Sequence, residues 1–287
     1  MPNVSINNSS YSSFMAHSLT RVKTALTLLS LLFIASCSSG GDILDTRGTI
    51  VPAAKQRLIP STEAYAYYPS SPYASVLKDC IVPEEEPCTL DTLPFIGQEN
   101  LQPTIVDIMD RVLVTHDWMG ERFEQILVAM PPETLDLFVP VTAIIIGSEV
   151  RPSNYWAAYG RIALDPASLW LSNSEKTTIS KQEDFRTNLG SEIKYRSRTT
   201  STIGGKYAWS YFSLSGDKER TLRDIRYPMA RLLFHELAHA NDFIQASLFP
   251  SLNADDTPSS AAVKNYDNSI SERLYDAGVS VWLQHYL

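Results

Sequence analysis

Three residues in "LLFHELAHANDF", Leu232 to Phe243, carry reactive groups at a spacing that brings them together: His235, Glu236 and His239. On an α-helix, positions four apart lie on one face, one turn from each other. Two neutral imidazoles so placed can hold one zinc ion at about 2.0–2.1 Å each. Glu236, directly after the first histidine, can reach water on the metal without ligating it. Zinc lowers the pKa of such water from about 15.7 toward 7. A glutamate there can take the proton and deliver it to a leaving amine. Leu232, Leu233, Leu237 and Phe243 give the same helix apolar positions to bury. A plain core helix with hydrogen-bonded histidines fits the pattern too.

A catalytic zinc needs three protein ligands, with a fourth position left for water. "ISERLYDAG", Ile270 to Gly278, offers Glu272 and Asp276, four apart and hence on one helical face; Glu272 lies 33 positions after His239. Ser269-x-x-Glu272 is also a capping-box pattern, in which the glutamate only closes a helix start. The rival third ligand is Asp242, on the same face as His239 but a turn past the metal on a straight helix. No glycine bends the chain there, where Ala240 and Asn241 stand. Asp242 therefore suits a supporting carboxylate beside the site, or a helix-face carboxylate, better than a ligand.

The His-Glu-x-x-His pattern resembles that of the zincin metallopeptidases. With Glu272 and Asp276 following, it resembles the gluzincins, such as thermolysin, whose second helix supplies a Glu-x-x-x-Asp motif. The resemblance implies an α+β, zincin-like domain: a small mixed sheet packed on a long active-site helix, followed by a ligand helix. It implies Zn(2+) as cofactor, held by His235, His239 and Glu272, with Asp276 hydrogen-bonded to a ligating histidine and Glu236 as general base. It implies a peptide or protein substrate. Asn154-Tyr155-Trp156-Ala157 resembles the edge strand that binds substrate backbone in that family, although an aromatic core strand fits as well. The resemblance covers roughly residues 141–287. One departure is the absence of a C-terminal helical domain with its transition-state histidine. Tyr155, Tyr159, Tyr266, His116 and His285 are candidates for that stabilising role, and nothing in the sequence separates them. Two other functions remain open: a non-catalytic zinc-binding lipoprotein in envelope assembly or binding, and a zinc-dependent hydrolase of a non-peptide amide.

The elements that must position these residues follow from periodicity. Ile105, Ile108, Met109, Val112, Leu113, Phe123, Ile126 and Leu127 follow helical spacing until Pro131-Pro132. A short helix is expected at Glu133–Phe138. "VTAIIIGS", Val141 to Ser148, reads as a buried strand. Asn154 to Asp165 reads as one bent strand or two, "ASLWLS" as a helix opening, and Lys206 to Leu214 as an aromatic strand. Pro228 suits the first turn of a helix reaching about Ala246. A last helix is expected from about Ser269.

Arg21 and Lys23 precede an apolar run from Thr24 that ends Ile34-Ala35-Ser36-Cys37. The run is shorter than the ~20 residues of a spanning helix and reads as an export signal. Its end resembles a bacterial lipobox, which implies cleavage before Cys37 and its acylation (palmitate among the expected chains). Ser38 follows rather than aspartate, which implies an outer-membrane anchor facing the periplasm. Met15 would give a more usual signal length than Met1. The expected organisation is residues 1–37 as signal, 38–100 as tether and irregular region, and 101–287 as the zincin-like domain. Cys80 and Cys88 are then left to form a disulfide, which suits an oxidising compartment. A net charge of -8 with no basic run excludes a nucleic-acid partner. Cys37→Ser is expected to abolish acyl labelling and release the protein from membranes. A mature chain starting elsewhere, with Cys37 removed or unmodified, would refute the lipobox.

Overall fold

The computed structural model describes residues 43–44, 50–51, 63–82, 87–181, 202–210 and 212–270. The chain is α+β. Strands are numbered in chain order: β1 (Ile43–Leu44) and β2 (Ile50–Val51) form one antiparallel pair, and β8 (Thr202–Ile203) and β9 (Lys206–Tyr207) another. Between them lies a five-stranded mixed sheet of β3 (Tyr65–Ala66), β4 (Val112–Val114), β5 (Ala143–Ile146), β6 (Asn154–Trp156) and β7 (Arg161–Leu164), in the order β3-β4-β5-β7-β6. β4, β5 and β7 run parallel; β3 and β6 run antiparallel at the two edges.

The apolar run of β5 follows from burial on both faces. Val112, Val114, Ile144, Ile146, Ile162 and Leu164 point into the larger core. Their alternates Leu113, Ala143, Ile145 and Ala163 point into a second cluster with Ala64, Leu77, Cys80, Ile81 and Leu93. The segment before residue 101 is thus more regular than its composition suggests. It supplies β3, the helix α1 (Leu77–Ile81) and the apolar cover of the second sheet face. The Cys80–Cys88 disulfide is formed, with Cα atoms 5.1 Å apart.

Seven α-helices are described: α1, α2 (Ile96–Glu99), α3 (Ile105–Met109), α4 (Asp117–Val128), α5 (Asn173–Thr177), α6 (Leu222–Phe243) and α7 (Pro258–Lys264). The helical periodicity expected from Ile105 to Leu127 is interrupted. Val112-Leu113-Val114 is a strand, because these residues are fully buried on both faces of the sheet and two are β-branched. Glu133–Phe138 falls within a 3-10 helix, Pro132–Phe138. Asn154 to Asp165 resolves into two strands joined through Gly160, whose φ of 62° and crowding by Phe95 and Thr142 exclude a side chain there. "ASLWLS" ends in the N-cap of α5, where Ser172 accepts from the Glu175 N–H. The expected strand from Lys206 to Leu214 shrinks to two exposed residues. Among the described residues it pairs only with Thr202–Ile203.

The long helix begins six residues before the expected Pro228. Thr221 caps it, with both the Thr221 N–H and its hydroxyl donating to the Asp224 carboxylate at 2.8 and 2.7 Å. Pro228 lies inside α6 and leaves one carbonyl without its usual helical donor. The cap, rather than the proline, sets the start. Backbone and side-chain hydrogen bonds from Thr221 hold the Asp224 carboxyl below its ordinary pKa. Asp224→Ala is expected to cost about 1 kcal/mol at neutral pH. Because the folded pKa is depressed, that contribution is present above the unfolded value and lost as pH falls through the folded one. Urea unfolding of the two proteins should therefore differ at pH 7 and converge only as pH falls below the depressed folded pKa.

Candidate metal centre

α6 carries Ile225, Met229, Leu233, Glu236, Leu237, Ala240 and Phe243 on its buried face. Six of these are apolar; Glu236 is the exception and is only 2% exposed. His235 and His239 stand beside it, half-buried, with ring centroids 4.9 Å apart and planes near perpendicular at 88°. Burial raises the Glu236 pKa to about 7, opposed by a hydrogen bond from the Tyr155 backbone N–H. Burial, and next the Arg231 charge, lowers the His235 pKa. Burial and then His235 lower that of His239, against the opposing pull of Asp242. The imidazoles are thereby held toward the neutral form that binds metals.

β6 lies against α6, and Tyr155 packs its ring 6.3 Å from that of Phe243. As an edge strand, β6 has backbone groups that no neighbouring strand takes up, and one of them meets Glu236. The strand is held from behind by Arg161, buried to 2%. Its guanidinium lies 4.7 Å from the Trp156 ring and 5.2 Å from that of Tyr159, and it donates to the Ile81 carbonyl. Asn154 is also buried, its amide donating to the Pro152 carbonyl at 3.0 Å.

Both ends of α6 are tied to distant segments. Arg220, just before the cap, donates to the Trp170 and Ala167 carbonyls at 2.7 and 3.1 Å and stacks 3.8 Å from the Trp170 ring. At the other end, the Asp242 carboxylate accepts from the Ser269 hydroxyl at 3.0 Å and the Ile270 N–H at 2.8 Å. The Asn265 amide donates to the Asp242 and Phe243 carbonyls at 3.0 Å each. No periodic or motif signal marks these contacts in the sequence, since single polar residues tens of positions apart make them.

Among the described residues, no group of three or more His, Cys, Asp or Glu side chains is placed to hold a metal ion. His235, Glu236 and His239 are brought together; Asp242 turns its carboxylate to Ser269 and Ile270. Glu272, Asp276, His285 and Cys37 lie outside the described residues. Of the other stabiliser candidates, Tyr159 packs its ring on Trp156, 5.0 Å away, and His116 bonds through Nδ1 to the Thr115 hydroxyl at 3.0 Å. Tyr266 opens the 3-10 turn Tyr266–Asn268. No family model, curated protein or solved structure matches the chain.

Two buried atoms test whether a metal fits. Glu236 Oε2 and His239 Nε2 have no hydrogen-bond partner among the described residues. Leaving a buried polar group unpaired costs about 1–3 kcal/mol, and native interiors rarely tolerate it. An imidazole nitrogen and a carboxylate oxygen on the same helix, neither paired, fit a cation and its water.

Proposed function

We propose that the chain is a zinc-dependent peptidase, lipid-anchored through Cys37 in the outer membrane and facing the periplasm. His235, His239 and Glu272 would hold the metal. The observation that carries this reading is the buried His239 Nε2 beside the buried Glu236 Oε2, both unpaired among the described residues. A core helix with purely structural histidines would satisfy such atoms with protein donors or acceptors.

Zinc in such a site supplies Lewis acidity, acidifying water and polarising a carbonyl. Glu236 accepts the proton of the attacking water and passes it to the leaving amine. Its apolar surroundings favour the neutral carboxyl, which suits the second half of that transfer. The Tyr155 N–H holds one end of the carboxylate in place. β6 favours a peptide over other amides as substrate: an extended chain can add to a sheet edge through main-chain hydrogen bonds, and this edge runs past Glu236.

Glu272 is favoured as ligand over its rival role as a capping residue. In a capping box the glutamate accepts from the N-cap backbone N–H. The Ser269 N–H already donates to the Asn265 and Tyr266 carbonyls at 3.2 and 3.1 Å, so that task is filled without Glu272. Asp242 is disfavoured as ligand because its two oxygens are bonded to Ser269 and Ile270.

Glu236→Gln is expected to keep zinc and fold but to lower peptide hydrolysis about 10²–10⁴-fold. Near wild-type turnover on casein would remove Glu236 from the base role. Glu272→Gln should strip zinc from the purified protein, because a neutral amide is a poor ligand. Metal content equal to wild type, with unchanged thermal stability, would assign Glu272 to capping instead.

A further inference from the structure

β7 carries a charge where its neighbours carry none. Arg161 pairs with Ala143 of β5 and lies two positions before Ala163. On a pleated strand it therefore shares their face, the one that packs on α1. It is only 2% exposed. A cation so placed has to be held by definite partners. They include the Ile81 carbonyl at the end of α1, to which the guanidinium donates. They also include the rings of Trp156 and Tyr159, 4.7 and 5.2 Å from its central carbon. Trp156 stands directly opposite Arg161 in the β6–β7 register, which places both side chains on one face.

The two ends of this contact differ in freedom. Ile81 is buried and follows Cys80, which the disulfide ties to Cys88. β6 is an edge strand, with β7 as its single strand neighbour among the described residues. Beside Trp156, Tyr155 belongs to the opposite face of the sheet, where its ring packs on Phe243 and its N–H meets Glu236. One side chain thus joins a disulfide-tied helix behind the sheet to the strand that touches Glu236 in front of it. We propose that Arg161 is a positioning residue: it carries the fixed place of α1 across to β6, and so sets where the Tyr155 N–H holds Glu236 and where an extended peptide adds to the edge. Its bearing on the substrate rests on the peptidase reading above; its bearing on Glu236 rests on the contacts alone. A planar guanidinium can lie against a ring and donate to a carbonyl at once, which an ammonium does poorly. α1, from the segment whose composition suggests a tether, becomes part of what shapes the site.

The test uses the detergent-solubilised full chain and three substitutions. Arg161→Lys keeps the charge without the planar fork, Arg161→Met keeps only an apolar stem, and Trp156→Leu removes the ring from the strand. The third serves where a change at the buried arginine prevents folding. Amide hydrogen exchange at Tyr155 is measured without added metal, relative to the Leu233 N–H inside α6. That ratio should rise about 10-fold in Arg161→Met and Trp156→Leu, and less in Arg161→Lys. With zinc present, KM for an extended peptide should rise in the same order, and kcat/KM should fall about 10–100-fold in Arg161→Met. Loss of folded protein alone would lower kcat and leave KM unchanged. An unchanged exchange ratio in every folded variant would overturn the positioning role, as would wild-type KM in variants whose ratio has risen. Misfolding of all three would overturn it too, leaving the cluster to serve stability alone. If the unsubstituted chain cleaves no peptide with zinc present, the peptidase reading falls with the substrate half of the role, and the exchange ratio still decides whether Arg161 places β6.

Discussion

A carboxylate on the apolar face of a helix sets the terms for everything around it. Burying an isolated ionised group is prohibitive, and burying a neutral one without a hydrogen bond costs several kcal/mol by transfer scales (roughly 2–7). Glu236 escapes the full penalty because α6 runs past the outer edge of β6, where the Tyr155 N–H meets it. A central strand offers no such donor, since its N–H groups are taken up by neighbours on both sides. The sheet order, with β6 outermost, is therefore a condition for the glutamate. So is the packing of Tyr155 on Phe243, which keeps strand and helix in register.

Contact with the sheet leaves the helix free to slide along its axis, and its two ends remove that freedom. Arg220 grips the Trp170 turn from below the cap. Asp242 and Phe243 are joined to Asn265, Ser269 and Ile270 at the far end. Between these anchors the interior proline is tolerable, because the lost backbone bond at Pro228 lies away from the histidine turn. The long helix is positioned by its termini and shaped by its stripe.

The parts of this arrangement that local pattern controls were legible in the sequence. The histidine–glutamate turn, the buried run of β5, and the Cys80–Cys88 pair each depend on spacing or on one residue class. Val112–Val114 was not legible, because three β-branched and aliphatic residues in phase with a helix on either side continue its period. Only their burial on both sheet faces decides for strand. The true start of α6 was hidden by Pro228, a plausible first-turn residue, while the Thr221 cap lay seven positions upstream. Spacing argued for Asp242 as a supporting or helix-face carboxylate rather than a ligand, but could not name its partners. On a helical wheel it stands with His239, and its partners come from residues 269 and 270.

The anchoring of α6 also has a temporal meaning. A ribosome delivers the chain from its amino end, and the sheet, the Trp170 turn and α6 itself all emerge before Asn265 does. Contacts between such separated segments form late, after the entropy of loop closure has been met. Until residues 265–270 arrive, the far end of the helix is held by Tyr155 against Phe243 and by the Asn241 amide on the Leu137 carbonyl, without its second anchor. The fixed position of the histidine turn is then a property of a chain grown past residue 270, and a fragment clipped before it would carry the histidine motif without its far anchor.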